Sequence, residues 1–277
     1  MKARLLVLGL LMMRGLLHGQ GIEGVQSTGG DKAERRDVFV TRMVEHPRAV
    51  LVLCPGQNRN GRALLEQKEW KQFASENNVA LAAISFASDD DTLREGGGYF
   101  EAGKGSGEQL LASLHKVCGR DLPLLLYGFS GGAHFVNSFV NWKPESVLTF
   151  CAYSAAWWEQ PALEKKMPPG IVACGADDGV RNAACQSFFA KGRAGGKSWT
   201  WLSLGNTGHQ PSKPLDGFVR DYFAVLLGRG SDGTVEEWHD VDTKKLLTPV
   251  EVKGQPTLAC WLPNARLGAA WSALHQP

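Results

Sequence analysis

Short continuous apolar runs alternate along this chain with longer segments whose apolar residues recur every three or four positions, the two periods that separate strands from helices. The continuous runs lie at 48–54 (RAVLVLC), 79–86 (VALAAISF), 124–127 (LLLY), 147–153 (VLTFCAY), 170–175 (GIVACG) and 198–204 (SWTWLSL). A strand with no polar alternation is one covered on both faces, as in a parallel sheet. Helical spacing predicts helices over 63–73, 106–117, 133–142, 182–190 and 215–227. Strands and helices in regular alternation predict an α/β fold with a doubly wound, mostly parallel sheet. In such sheets ligands bind beyond the carboxyl ends of the strands.

The remaining segments depart from this pattern. Residues 22–37 read as a polar lead-in, with Val38-Phe39-Val40 and Met43-Val44 as parts of an outer hairpin strand. Residues 87–104 carry Asp89-Asp90-Asp91 and Gly96-Gly97-Gly98 and read as a solvated loop; the aspartates lack the closing Glu of an EF-hand. Tyr99 and Phe100 in this insertion fit either a lid over a site or an ordinary loop. From Gly228 the pattern changes, and Gly230-Ser231-Asp232-Gly233 reads as a linker. Residues 22–228 are thus expected to form the main domain, with 229–277 as an extension, either a small appended sheet or a tail packed on the body.

Composition narrows the class. The chain has 277 residues, 43% hydrophobic and 21% charged, with a formal charge of +2. That is an ordinary globular balance with no basic surplus to attract nucleic acid. Residues 1–21 read as an export signal: Lys2 and Arg4, then an apolar run from Leu5 to Met13, then Gly19-Gln20-Gly21 as a cleavage site. The run is too short to span a bilayer, so no stable membrane insertion is expected after its removal, and the mature chain is expected in the periplasm or outside the cell. Six cysteines (54, 118, 151, 174, 185 and 260) permit disulfides in such a compartment, although Cys54, Cys151 and Cys174 in strand-like runs also fit buried thiols. No spacing suggests a metal site.

The chemistry centres on Gly128-Phe129-Ser130-Gly131-Gly132, a G-x-S-x-G between a buried strand and a helix. A serine there sits at a sharp strand-to-helix turn beneath the backbone N–H groups of the helix start. It needs a base, and of seven histidines His209 alone follows a strand in a glycine-containing loop at the carboxyl edge of the predicted sheet. The acid that orients the base is expected after the preceding strand, at Asp178 or Asp177, with Gly175-x-x-Asp178 spacing favouring Asp178; Glu159 is a further candidate. The oxyanion donors are expected to be the backbone N–H groups of Gly131 and of Gln57, in the loop after the first central strand. Trp157 and Trp158 fit either a substrate pocket or core packing.

Pro55-Gly56-Gln57-Asn58, the serine motif, Gly175-x-x-Asp178 and Gly208-His209 together resemble the α/β-hydrolase superfamily. Its poly(3-hydroxybutyrate) depolymerase, feruloyl-esterase and dienelactone-hydrolase-like branches are the most similar. The resemblance covers about residues 38–228, and Pro55-Gly56 stands where many of these enzymes have His-Gly. It implies a serine esterase acting on small or polymeric carboxylic esters, without metal or organic cofactor. A prolyl-oligopeptidase-type peptidase and a non-catalytic binding protein on the same fold are the alternatives.

Overall fold

The computed structural model describes residues 22–25, 34–41, 43–228 and 235–277. The expected signal and the 230–233 linker lie outside the described residues. Ten strands are described: β1 Ile22–Val25, β2 Arg35–Thr41, β3 Val50–Cys54, β4 Ala80–Ala87, β5 Leu124–Phe129, β6 Val147–Tyr153, β7 Gly170–Gly175, β8 Trp199–Leu204, β9 Glu237–Asp240 and β10 Ala259–Leu262. The α-helices are α1 Lys68–Glu76, α2 Asp90–Arg94, α3 Ser106–Cys118, α4 Gly131–Trp142, α5 Val180–Ala194, α6 Lys213–Leu227, α7 Pro249–Gly254 and α8 Ala265–Leu274.

The main sheet has eight strands in the order β1-β2-β4-β3-β5-β6-β7-β8. From β4 to β8 every pairing is parallel, while β2 runs antiparallel to β4 and β1 to β2. All residues of β3, β7 and β8 are buried, which is why these strands carry no polar alternation. The register aligns the exits: Cys54 lies beside Gly128, Phe129 beside Tyr153, and Gly175 beside Leu204. The loops holding Gln57, Ser130, Trp157, Asp178 and His209 therefore leave one edge of the sheet together.

Several expectations are revised. The lead-in contains β1 and the start of β2, whereas Met43 and Val44 lie outside any strand. The helix expected over 63–73 is split at Gln67, whose extended backbone (φ −67°, ψ 123°) separates a 3-10 segment at Gly61–Glu66 from α1. The triple aspartate is a helix start rather than a plain loop: Asp89 Oδ1 accepts from Thr92 N at 2.8 Å, and Asp90 and Asp91 occupy the first turn of α2. This is the favoured place for carboxylates, facing the positive end of the helix dipole.

The tail forms a second, two-stranded antiparallel sheet, β9 with β10, and packs on the body through α8. Trp261 and Trp271 are fully buried and belong to the main core. Trp271 Nε1 donates to Trp201 O, and Arg193 Nε donates to Ala259 O, both at 2.6 Å. His275 accepts at Nδ1 from Ser203 N (3.1 Å) and faces Val241 O with Nε2 (2.7 Å), so burial holds it neutral and lowers its pKa to about 4. No disulfide joins any of the six cysteines. Among the described residues no helix is long and apolar enough to cross a membrane.

Candidate active site

Ser130 ends the run LLLYGF and immediately precedes α4, with φ +53° and ψ −117°. A non-glycine residue in this region is strained, and the strain is held by crowding on both sides. A side chain at Gly128 would meet Gly132 O at 2.3 Å, and one at Gly132 would meet Cys54 O at 2.1 Å. Ser130 N donates to Tyr153 O (2.9 Å), tying the turn to β6.

His209 Nε2 lies 2.8 Å from Ser130 Oγ, and its Nδ1 lies 2.8 Å from Asp178 Oδ2. An ionised carboxylate only accepts, so the Nδ1 proton points at Asp178 and Nε2 is left as an acceptor facing the Ser130 hydroxyl. The Asp178 side chain is 2% exposed and that of His209 32%, so the imidazole is open to solvent on one side while the carboxylate is buried. Phe129 stacks under the imidazole at 5.1 Å and 30°. Asp178, rather than Asp177, meets the histidine. Asp177 is exposed and holds the loop through its backbone N–H to Thr207 O (3.0 Å). Glu159 is exposed, with its N–H donated to Asn137 Oδ1 (2.9 Å).

The two expected oxyanion donors are neighbours. A Cβ on Gly131 would lie 2.6 Å from Gln57 N, so only glycine allows α4 to start this close to the loop after β3. As the first helical residue, Gly131 has no carbonyl within the helix to receive its N–H. The loop is braced from below. Gln57 Nε2 donates to Asp90 Oδ1 (2.9 Å), and Asn58 both donates to Ser88 O (3.0 Å) and accepts from Ser88 N (3.1 Å). Tyr99 is not a lid: it and Phe100 are 2% exposed, and Tyr99 packs its hydroxyl against this same region. Behind the loop, a cavity of about 190 Å³ is lined by Leu53, Pro55, Gly56, Leu64, Trp70 and Phe129, among others.

The structure separates the two tryptophans. Trp157 is 40% exposed and stacks on His134 at 3.8 Å and 27°, with Phe100 at its edge (5.7 Å). Trp158 turns the other way and stacks on Phe188 at 4.3 Å and 20°, which in turn stacks on Trp199. Trp157 thus flanks the serine helix, whereas Trp158 packs towards α5 and the core.

Sequence reading did not anticipate how this loop is held. His134 Nε2, Asn137 Oδ1 and Asn141 Oδ1 on α4 accept in turn from the backbone N–H groups of Ala156 (3.2 Å), Glu159 (2.9 Å) and Ala162 (2.9 Å). Three acceptors on one helix face match donors three residues apart in the loop. Burial lowers the His134 pKa to about 3, keeping it a neutral acceptor. The signal was present, since polar residues at i, i+3 and i+7 interrupt an otherwise apolar helix.

No family model matches the sequence, and no curated protein matches it. Solved structures do. A poly(3-hydroxybutyrate) depolymerase from Bordetella parapertussis aligns with a TM-score of 0.54 at 15% identity, covering 86% of this chain and 94% of its own. An S-formylglutathione hydrolase from Agrobacterium tumefaciens aligns at 0.56 and 14%, covering 76% and 96%. An esterase from Pyrobaculum calidifontis aligns at 0.56 and 9%, covering 76% and 87%. At these identities the likeness is one of fold.

Proposed function

We propose that this chain, which has the α/β-hydrolase fold, is a serine hydrolase that cleaves carboxylic esters through an acyl-enzyme. The observation that carries the reading is the unbroken chain Ser130 Oγ–His209 Nε2 and His209 Nδ1–Asp178 Oδ2, both links 2.8 Å, on a serine with strained backbone.

The steps follow from this arrangement. Ser130 Oγ attacks the ester carbonyl carbon while its proton passes to His209 Nε2. The carbonyl oxygen becomes an oxyanion facing the N–H groups of Gly131 and Gln57, and Asp178 steadies the imidazolium. Collapse breaks the bond to the alcohol oxygen, which leaves with the proton from Nε2. A water molecule then gives its proton to Nε2 and attacks the acyl carbon. Breakage of the bond to Ser130 releases the carboxylic acid and restores the hydroxyl. Trp157 lines the approach to the ester, and its exposed face suits a flat acyl or alcohol group. Residues 1–21 serve as the export signal, which places the mature enzyme in the periplasm or outside the cell.

The test is labelling by a fluorophosphonate probe together with turnover of p-nitrophenyl acyl esters and Xaa-Pro amides. Labelling lost in Ser130→Ala and turnover confined to esters are expected. Cleavage of the amides instead would indicate a peptidase, and absence of labelling in folded protein would indicate a binding module.

A further inference from the structure

Asp178 is a buried carboxylate, and burial disfavours its charge unless a cation or several donors compensate. Its Oδ2 is engaged by His209 Nδ1 at 2.8 Å and by Cys174 Sγ at 3.7 Å. Neither partner is a cation while the histidine waits as a base, because a base must be neutral. The other oxygen, Oδ1, faces Arg181 Nη1 at 3.4 Å. The local backbone delivers that guanidinium. Gly179, at φ +56° and ψ −129°, turns the chain back at the start of α5, and Arg181 N donates to Asp178 O at 3.2 Å. Asn182 Nδ2 pins the same turn to Gly175 O at 3.1 Å.

We propose that Arg181 is a positioning residue of the active site: its guanidinium supplies the positive charge that keeps Asp178 ionised and oriented while His209 remains unprotonated. The assignment rests on the catalytic reading above. The charged and titratable groups around Asp178 are His209 from the loop after β8, Cys174 from β7, Tyr153 from β6 and Arg181 from α5. Of these, Arg181 is the permanent cation. Without it, the buried carboxylate draws a proton onto the imidazole to form an ion pair, and a protonated imidazole cannot accept from Ser130. The side chain of Arg181 is 35% exposed, so a small cation from solvent can reach the vacated position.

Arg181→Ala, Arg181→Gln and Arg181→Lys are compared with wild type on one neutral p-nitrophenyl ester across pH, with thermal melting as the folding control. In the Ala and Gln variants kcat/KM is expected to fall about ten- to a hundredfold near neutral pH, matching the one to two decades of charge preference that a neighbouring opposite charge sets. KM should change little, and the acid limb of the pH profile should move to higher pH. Guanidinium at tens of millimolar, far below the molar range that unfolds proteins, should restore part of the activity of Arg181→Ala. An equal concentration of urea should not, and Lys should retain more than Gln. Unchanged kcat/KM with an unmoved limb overturns the assignment. So does a loss that neither guanidinium nor Lys relieves, which would mark a purely structural role. Wild-type protein that neither turns over esters nor takes up the fluorophosphonate probe refutes the catalytic reading itself, and this assignment with it.

Discussion

Replacing Asp178 with Asn changes one oxygen to an amide group at constant shape and tests the proton bookkeeping of the site directly. The carboxylate now receives the Nδ1 proton of His209 across 2.8 Å. An amide NH₂ at that place is a donor, so the stable pairing has Nδ1 accepting and the imidazole proton on Nε2, 2.8 Å from Ser130 Oγ. In the proposed mechanism Ser130 then faces a donor and is left without a base. In serine proteases that exchange lowers kcat about 10⁴-fold, which corresponds to roughly 5.4 kcal/mol at 1.36 kcal/mol per decade. A loss of the same order, measured as kcat/KM on a p-nitrophenyl ester near pH 8, is expected here, with the melting temperature checked in parallel. Asp177→Asn is the internal control. That carboxylate is exposed, and the residue holds the loop by its backbone, so its activity should stay within about threefold of wild type, as for a surface substitution. A loss under tenfold in folded Asp178→Asn, or an equal loss in Asp177→Asn, would refute the reasoning.

Other consequences can be checked singly. Gly131→Ala places a Cβ 2.6 Å from Gln57 N and must push the two proposed oxyanion donors apart, so kcat should fall by about 10²–10³, the loss of one donor, in initial-rate assays. Trp157→Ala removes the exposed aromatic face beside α4 and should raise KM for aryl esters by more than it lowers kcat. Trp271→Ala empties a fully buried site where the tail meets β8; a cost of about 3–5 kcal/mol is expected, seen as a lowered melting temperature. His134 and His275 have pKa values lowered to about 3 and about 4, so between these values and 6.5 the unfolded chain binds more protons than the folded one. Stability should therefore decline as pH falls through that window, and His134→Gln should flatten the decline in urea titrations at pH 4.5 and 7.

The body of the sheet was legible because burial on both faces removes polar alternation, so β3, β4, β5, β6, β7 and β8 stand out as apolar runs. The serine turn was legible because its backbone demands glycines at fixed offsets from Ser130. The Gly175-x-x-Asp178 spacing favours Asp178 over Asp177 without deciding between them, since adjacent residues on one turn differ in which way each side chain faces. Spacing was silent on the tail, whose strands β9 and β10 are brief and whose tryptophans find their partners across long sequence separations. The bracing of the Trp157 loop by His134, Asn137 and Asn141 was missed for another reason. Polar residues on a buried helix become informative only once the loop that they bind is known to pass over them.

The tail's contact with β8 reaches beyond stability. Gln276 N donates to Ser203 O, and His275 bridges to Leu204, so a segment late in the chain supplies the outer neighbour of the strand that delivers His209. In the proposed mechanism the base at His209 therefore depends on a contact supplied from late in the sequence, and turnover in a refolding experiment should emerge together with the shielding of Trp261 and Trp271.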